Sequence, residues 1–130
     1  MGRVAGFVEY VENPGRRRAG GPIDREHLAK QCLHDANLEI EVLRLFDETI
    51  TRYVERLSAA REPEEIRMNL HVIKGAAAGI GAFTVADMAP QAEDALREGW
   101  SVGTELIEDL SMAVEEVRGY IAGIVAEAGE

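Results

Sequence analysis

Only one cysteine, Cys32, occurs in 130 residues. That excludes an internal disulfide framework and any metal site built from several thiolates. Aromatic residues make up just 5%, so a core must be aliphatic, assembled from Leu, Ile, Val, Ala and Met. Four prolines are too few for the recurrent turns of a many-stranded sandwich. No run approaches the roughly 20 apolar residues of a membrane span, and the first residues lack the apolar centre of a signal peptide. These absences point to a soluble, cytoplasmic protein. What is present is ordinary globular material, 46% hydrophobic and 29% charged, in a length that suits a single domain.

Positive charge is also scarce. Fourteen basic residues face twenty-four acidic ones, a net of −10. Residues 1–22 hold Arg3, Arg16, Arg17 and Arg18 against Glu9 and Glu12, a net of +2. The ten basic and twenty-two acidic residues that remain leave 23–130 at −12. Such a surface repels a phosphate backbone, which argues against nucleic acid as a partner and for another protein.

The stretch from Asn13 to Pro22 is dense in Gly, Pro and Arg. It reads as a linker, which makes 1–22 an N-terminal tail and 23–130 the folded body. Within the tail, Phe7, Val8, Tyr10 and Val11 either dock as a short strand or helix turn or belong to a mobile tail, which is the simpler reading. Beyond Pro22 the pattern is helical. Asp24 can cap a short helix from Arg25 to about Leu33. A second helix, from about Ala36 to Ala60, places Leu38, Val42, Leu45, Phe46, Thr49, Tyr53 and Leu57 on one stripe. Pro63 suits the first position of a third helix, with Glu64 and Glu65 at its positive end. Gly79 and Gly81 mark its finish. A fourth helix runs from about Phe83 to Glu98, with Pro90 expected to kink it or shift its effective start. After a turn at Gly99–Gly103, a fifth helix carries Leu106, Leu110, Ala113, Val114, Val117, Ile121, Ile124 and Val125 on its stripe. No segment alternates with period two. The expected fold is all-α: an up-and-down antiparallel four-helix bundle with a short extra N-terminal helix.

One constellation carries chemistry. With His71 set at zero on a 3.6-residue wheel, Ile66, Leu70, Ile73, Ala77 and Ile80 form a stripe centred near about 215°. His71 therefore points away from the core. Its own face holds Arg67, Gly75, Ala78 and Gly79, with Lys74 about 60° away. A glycine inside a helix costs about 1 kcal/mol relative to alanine, and core packing does not explain Gly75 or Gly79. Their missing side chains leave the imidazole clear, and Lys74 offers a cation to a phosphate oxygen. An exposed His beside a Lys is also ordinary solvated surface; the glycine pair is what tips the balance toward a site. If the third and fourth helices fold back about Gly81–Ala82, Glu93 comes level with His71. There it can accept from Nδ1–H and leave Nε2 as the nucleophile. Pairing with Arg97 on its own helix is the other use for Glu93.

The run His71-Val-Ile-Lys74-Gly75-Ala-Ala-Ala-Gly79-Ile-Gly-Ala82 resembles the His-x-Leu-Lys-Gly-Ser/Ala segment, closed by Gly-Ala, of histidine-containing phosphotransfer (HPt) domains. Ala89 and Glu93 fall where that family commonly has a small and an acidic or amide residue. Ile73 in place of Leu and the presence of Pro90 are the departures. The resemblance implies a phosphorelay intermediary, not an enzyme with its own ATP site. His71 would take a phosphoryl group from a receiver-domain phospho-aspartate and pass it to another receiver. Lys74 would steady phosphate charge, Gly75 would give clearance and Glu93 would orient the ring. The implied partners are response-regulator receiver domains and a hybrid sensor histidine kinase. The chain would need no cofactor of its own, the magnesium ion being expected on the receiver. A helical binding module that docks receivers without transferring phosphate is the alternative.

The remaining residues carry less. Ile40 and Leu43 lie off the main stripe of the second helix, and either join an apolar patch for a receiver helix or pack against the first helix. Arg67, Ala78 and Gly79 would flank the docking face. His27 and His34 read as surface residues of the first helix or its end. No His has a Glu three residues before it, as an inward-facing di-iron bundle requires, so no metal site is expected. Cys32 reads as a small buried apolar residue, and Trp100 as a pin for the last turn. The protein is expected to be a monomer.

Overall fold

The computed structural model describes residues 21–98 and 104–129. Most of the expected tail and the turn that contains Trp100 lie outside these residues. The five helices are α1 (Arg25–Gln31), α2 (Ala36–Ala59), α3 (Pro63–Ile80), α4 (Phe83–Arg97) and α5 (Thr104–Ala128). No strand occurs among the described residues. The all-helical expectation holds, and each boundary lies within two residues of its sequence reading.

Local chemistry sets the ends. Asp24 accepts from the His27 amide at 3.0 Å and Asp35 from the Leu38 amide at 3.1 Å, capping α1 and α2. Pro63 opens α3 where no amide hydrogen is needed. α1 stops at Gln31, short of the expected Leu33. Leu33 and His34 take left-handed backbone angles (φ 55° and 61°) and turn the chain toward Asp35, so His34 belongs to the turn. Cys32 is buried, as expected, and burial with nearby Glu39 and Asp35 pushes its thiol up.

α2 touches α3 and α5, and α4 touches the same two helices, which closes a ring of four. α1 lies on α3 and α2. Arg118 of α5 donates to Asp47 of α2 at 2.7 Å and to Glu115 at 3.1 Å. The bond to Asp47 holds the guanidinium proton more firmly than usual. The core is mainly aliphatic, including Leu43, Ile50, Leu57, Leu70, Ile73, Val85, Val114 and Ile121, with Phe46 and Phe83 buried beside them.

One stripe was misread. α2 buries Leu43, Phe46, Ile50 and Leu57, while Leu38 and Leu45 are 40% and 63% exposed. The buried face is rotated by about 70° from the expected one. Apolar residues cover nearly half the circumference of this helix, so periodicity admits both faces. Packing chooses the one with Leu43 and Ile50 over the one with Thr49 and Tyr53. Leu43 is 0% exposed; it is core and cannot line a docking patch.

α3 reverses into α4 at Gly81, which ends α3 with φ 88°. The amide of Ala82 donates to the Ala77 carbonyl at 2.9 Å, and the Gly81 carbonyl accepts from the Asp24 amide at 2.9 Å. Asp24 thus caps α1 and fastens it to the α3–α4 turn. A Cβ at Gly81 would lie 2.8 Å from the Asp24 carbonyl oxygen. Gly81→Ala should cost at least about 1–2 kcal/mol from the left-handed backbone alone, and more from the clash. Urea unfolding of the variant checks this, and unchanged stability would contradict the tight turn.

Candidate functional site

His71 lies on α3 between the buried positions Leu70 and Ile73, and its side chain is 74% exposed. The outward orientation expected from the helical wheel is therefore what the fold produces. The apolar stripe of α3 is buried at Leu70, Ile73, Ala77 and Ile80, with Ile66 half-buried. Asn69 is buried as well, and its amide donates to the Glu65 carbonyl at 2.9 Å.

α4 supplies the second group. It packs on α3, and Ala77 of α3 and Ala86, Ala89 and Ala92 of α4 are all buried. Short side chains let helix axes approach closely. Glu93, one residue beyond Ala92, is only 9% exposed. Its Oε2 stands 3.8 Å from Nδ1 of His71, an ion-pair distance longer than a hydrogen bond. The competing use of Glu93 is not the one adopted, because Arg97 donates to Asp94 at 2.7 Å.

Pro90 neither shifts the start of α4 nor ends it; the helix begins at Phe83 and continues to Arg97. The missing amide costs the bond to the Ala86 carbonyl, about 3 kcal/mol in a helix interior. Burial of Phe83, Val85, Ala86 and Ala89 before it, and of Ala92 and Glu93 after it, holds the helix together.

Around the imidazole, Lys74 is half-buried one turn on and Ala78 is half-buried beyond it. Gly75 and Gly79 are exposed, and a Cβ on either would meet nothing within 4 Å. Arg67 is exposed and pairs with Glu64 on its own helix. Ile40 lies elsewhere: with Asn37, Arg44 and Ala128 it lines a depression between the start of α2 and the end of α5. The structure thus gathers His71, Glu93, Lys74 and the glycines, and leaves out Ile40 and Leu43.

Met68 was missed. It is 63% exposed, three residues before His71 and about 60° from it on the wheel. The same wheel that turned His71 outward would have found it. Among the described residues no group of three or more His, Cys, Asp or Glu side chains could hold a metal ion. None of the described helices is long and apolar enough to cross a membrane.

The family model of the Hpt domain matches residues 41–120, more than half of the chain. This chain belongs to the Hpt domain family. No curated protein and no solved structure matches it. The matched span runs from α2 into α5 and includes His71, Lys74, Gly75 and Glu93. Hpt domains are histidine phosphotransfer modules of phosphorelays, working with receiver domains and kinases, and are phosphocarriers rather than ATP-using kinases.

The open space at the two glycines gives a direct test of what they do for the fold. Gly75→Ala and Gly79→Ala should each stabilise the Hpt domain by up to about 1 kcal/mol, read as a higher midpoint in urea unfolding. Destabilisation would mean that the bare positions serve packing.

Proposed function

We propose that His71 accepts a phosphoryl group from the phospho-aspartate of one receiver domain and passes it to the aspartate of another. The carrying observation is a largely exposed imidazole whose Nδ1 faces a nearly buried carboxylate, on the helix of an Hpt domain. In the forward step the Nε2 lone pair attacks phosphorus, and the bond from phosphorus to the aspartyl oxygen breaks. The aspartate leaves as a carboxylate. Positive charge then develops on the ring at Nδ1–H, beside Glu93, which orients the imidazole and offsets that charge. Lys74 steadies charge on the phosphoryl oxygens. Gly75 and Gly79 let the receiver's active-site edge come down to the ring, with Arg67 and Ala78 at its border.

Magnesium belongs to the receiver in this reading, because its oxygen-ligand site lies with the aspartates of that partner. The upstream donor is the receiver of a hybrid sensor kinase, and the protein works as a cytoplasmic monomer.

Mixing the protein with a phosphorylated receiver should place acid-labile phosphate on this chain, and His71→Gln should abolish it. Label that persists in the variant would move the chemistry elsewhere. Binding to the receiver without any label would favour a docking module that transfers nothing.

The role of Glu93 needs a readout beyond rate. Glu93→Ala should redistribute the His71 ring tautomers, seen as a change in the two imidazole 15N shifts, and should slow transfer. A slower rate with unchanged 15N shifts would make Glu93 a packing residue only.

A further inference from the structure

α5 has the most one-sided charge of the helices. It carries Glu105, Glu108, Asp109, Glu115, Glu116 and Glu127 against Arg118 alone, and Arg118 is engaged by Asp47 and Glu115. Beside these acids α5 presents apolar surface. Met112 is 70% exposed. With Ile107, Ser111 and Ala113 it lines two open depressions, one of them bordered by Ser58 of α2. Glu108, Glu115 and Glu116 stand at their edges. The acids lie on both sides of Met112 along the helix, so a ligand for this face combines apolar groups with basic ones.

Residues 1–20 have both kinds of group, a basic run nearer Gly21 and beyond it an apolar run interspersed with Glu9 and Glu12. Going back from Gly21, the chain meets Arg18, Arg17 and Arg16, and then the apolar residues Val11, Tyr10, Val8 and Phe7. The described chain begins against α5, since the Cβ position of Gly21 lies 4.0 Å from Cε1 of Tyr120. Going back along α5 from Tyr120, the surface meets Glu116 and Glu115 first, then Met112, and then Asp109, Glu108 and Ile107. The basic run of the tail and the pair Glu115–Glu116 thus come first in their two series, and apolar residues follow in both. Reach is ample: Tyr120 to Ile107 is about 20 Å of helix, and the chain from Gly21 to Val11 can span up to about 33 Å.

We propose that residues 7–18 dock along the outer face of α5, with Arg16–Arg18 against Glu115 and Glu116 and Phe7–Val11 on Met112 and Ile107. α3 and α5 each contact both α2 and α4, so α5 lies across the ring from the helix that carries His71. The segment therefore occupies a face of its own and does not compete for the imidazole. The inference does not depend on phosphotransfer.

A spin label on the full chain tests it. Cys32 is 2% exposed with its thiol pushed up by burial, so a label reacts with Glu9→Cys instead. Oxidised label should erase amide signals over Ile107–Glu116, and reduction should restore them. Adding Arg16→Glu, Arg17→Glu and Arg18→Glu should abolish the loss. Three results would each overturn the proposal: no localised loss, loss centred on His71 and Gly75, or loss that appears only between labelled and unlabelled copies in a mixed sample. The last would make a second copy the occupant.

Discussion

Close packing of α3 on α4 is the constraint from which the rest follows. Alanines at 77, 86, 89 and 92 are all nearly or fully buried, and side chains of that size permit close helix packing. Across this hairpin a glutamate, fixed to α4 and almost covered, stands 3.8 Å from an imidazole on the outer side of α3. The turn at Gly81 sets the register of that pair. Its positive φ and its carbonyl bond to Asp24 fix where the hairpin reverses, and hence which residue of α4 comes level with His71. A distant backbone feature thus decides which carboxylate serves the ring.

Much of this was legible because it rests on local rules. The cap at Asp24, Pro63 at a helix start and Gly81 at a helix end all act over one turn, where sequence speaks directly. The outward position of His71 was equally plain, since α3 has a narrow stripe of Ile, Leu and Ala. α2 was different. Its apolar residues form a broad band, and only contact with α3, α5 and α1 selects Leu43 and Ile50 for burial. Ile40 failed for the same reason, because its neighbours Ala128 and Gly129 are distant in sequence. Pro90 was a third case: intrinsic helix cost was readable, whereas the burial on both sides that outweighs it was not.

Bare glycine is a weaker signal than it looks. Gly119 and Gly123 on α5 also lie in a helix, also one turn apart, and a Cβ on either meets nothing within 4 Å. The two helices even share a frame: Met68, Gly75 and Gly79 on α3 are spaced as Met112, Gly119 and Gly123 are on α5. A basic residue precedes the first glycine of each, Lys74 and Arg118. The histidine has no counterpart, for Glu115 stands at its place in the α5 frame. Arg118 is also tied to Asp47. Open backbone marks both faces, and the imidazole with its neighbouring carboxylate marks one.

The separation of that pair suits a carrier. A carboxylate far away leaves the ring free to turn and does nothing for the charge that builds as a nitrogen bonds to phosphorus. At 3.8 Å one ring edge lies near the acid and the rest of the imidazole is in solvent. In the proposed reaction the contact can tighten as positive charge develops and loosen as the phosphoryl group departs. Since the relay must run onto and off the same nitrogen, a modest bias that follows the charge serves both directions better than a strong bond that would favour one.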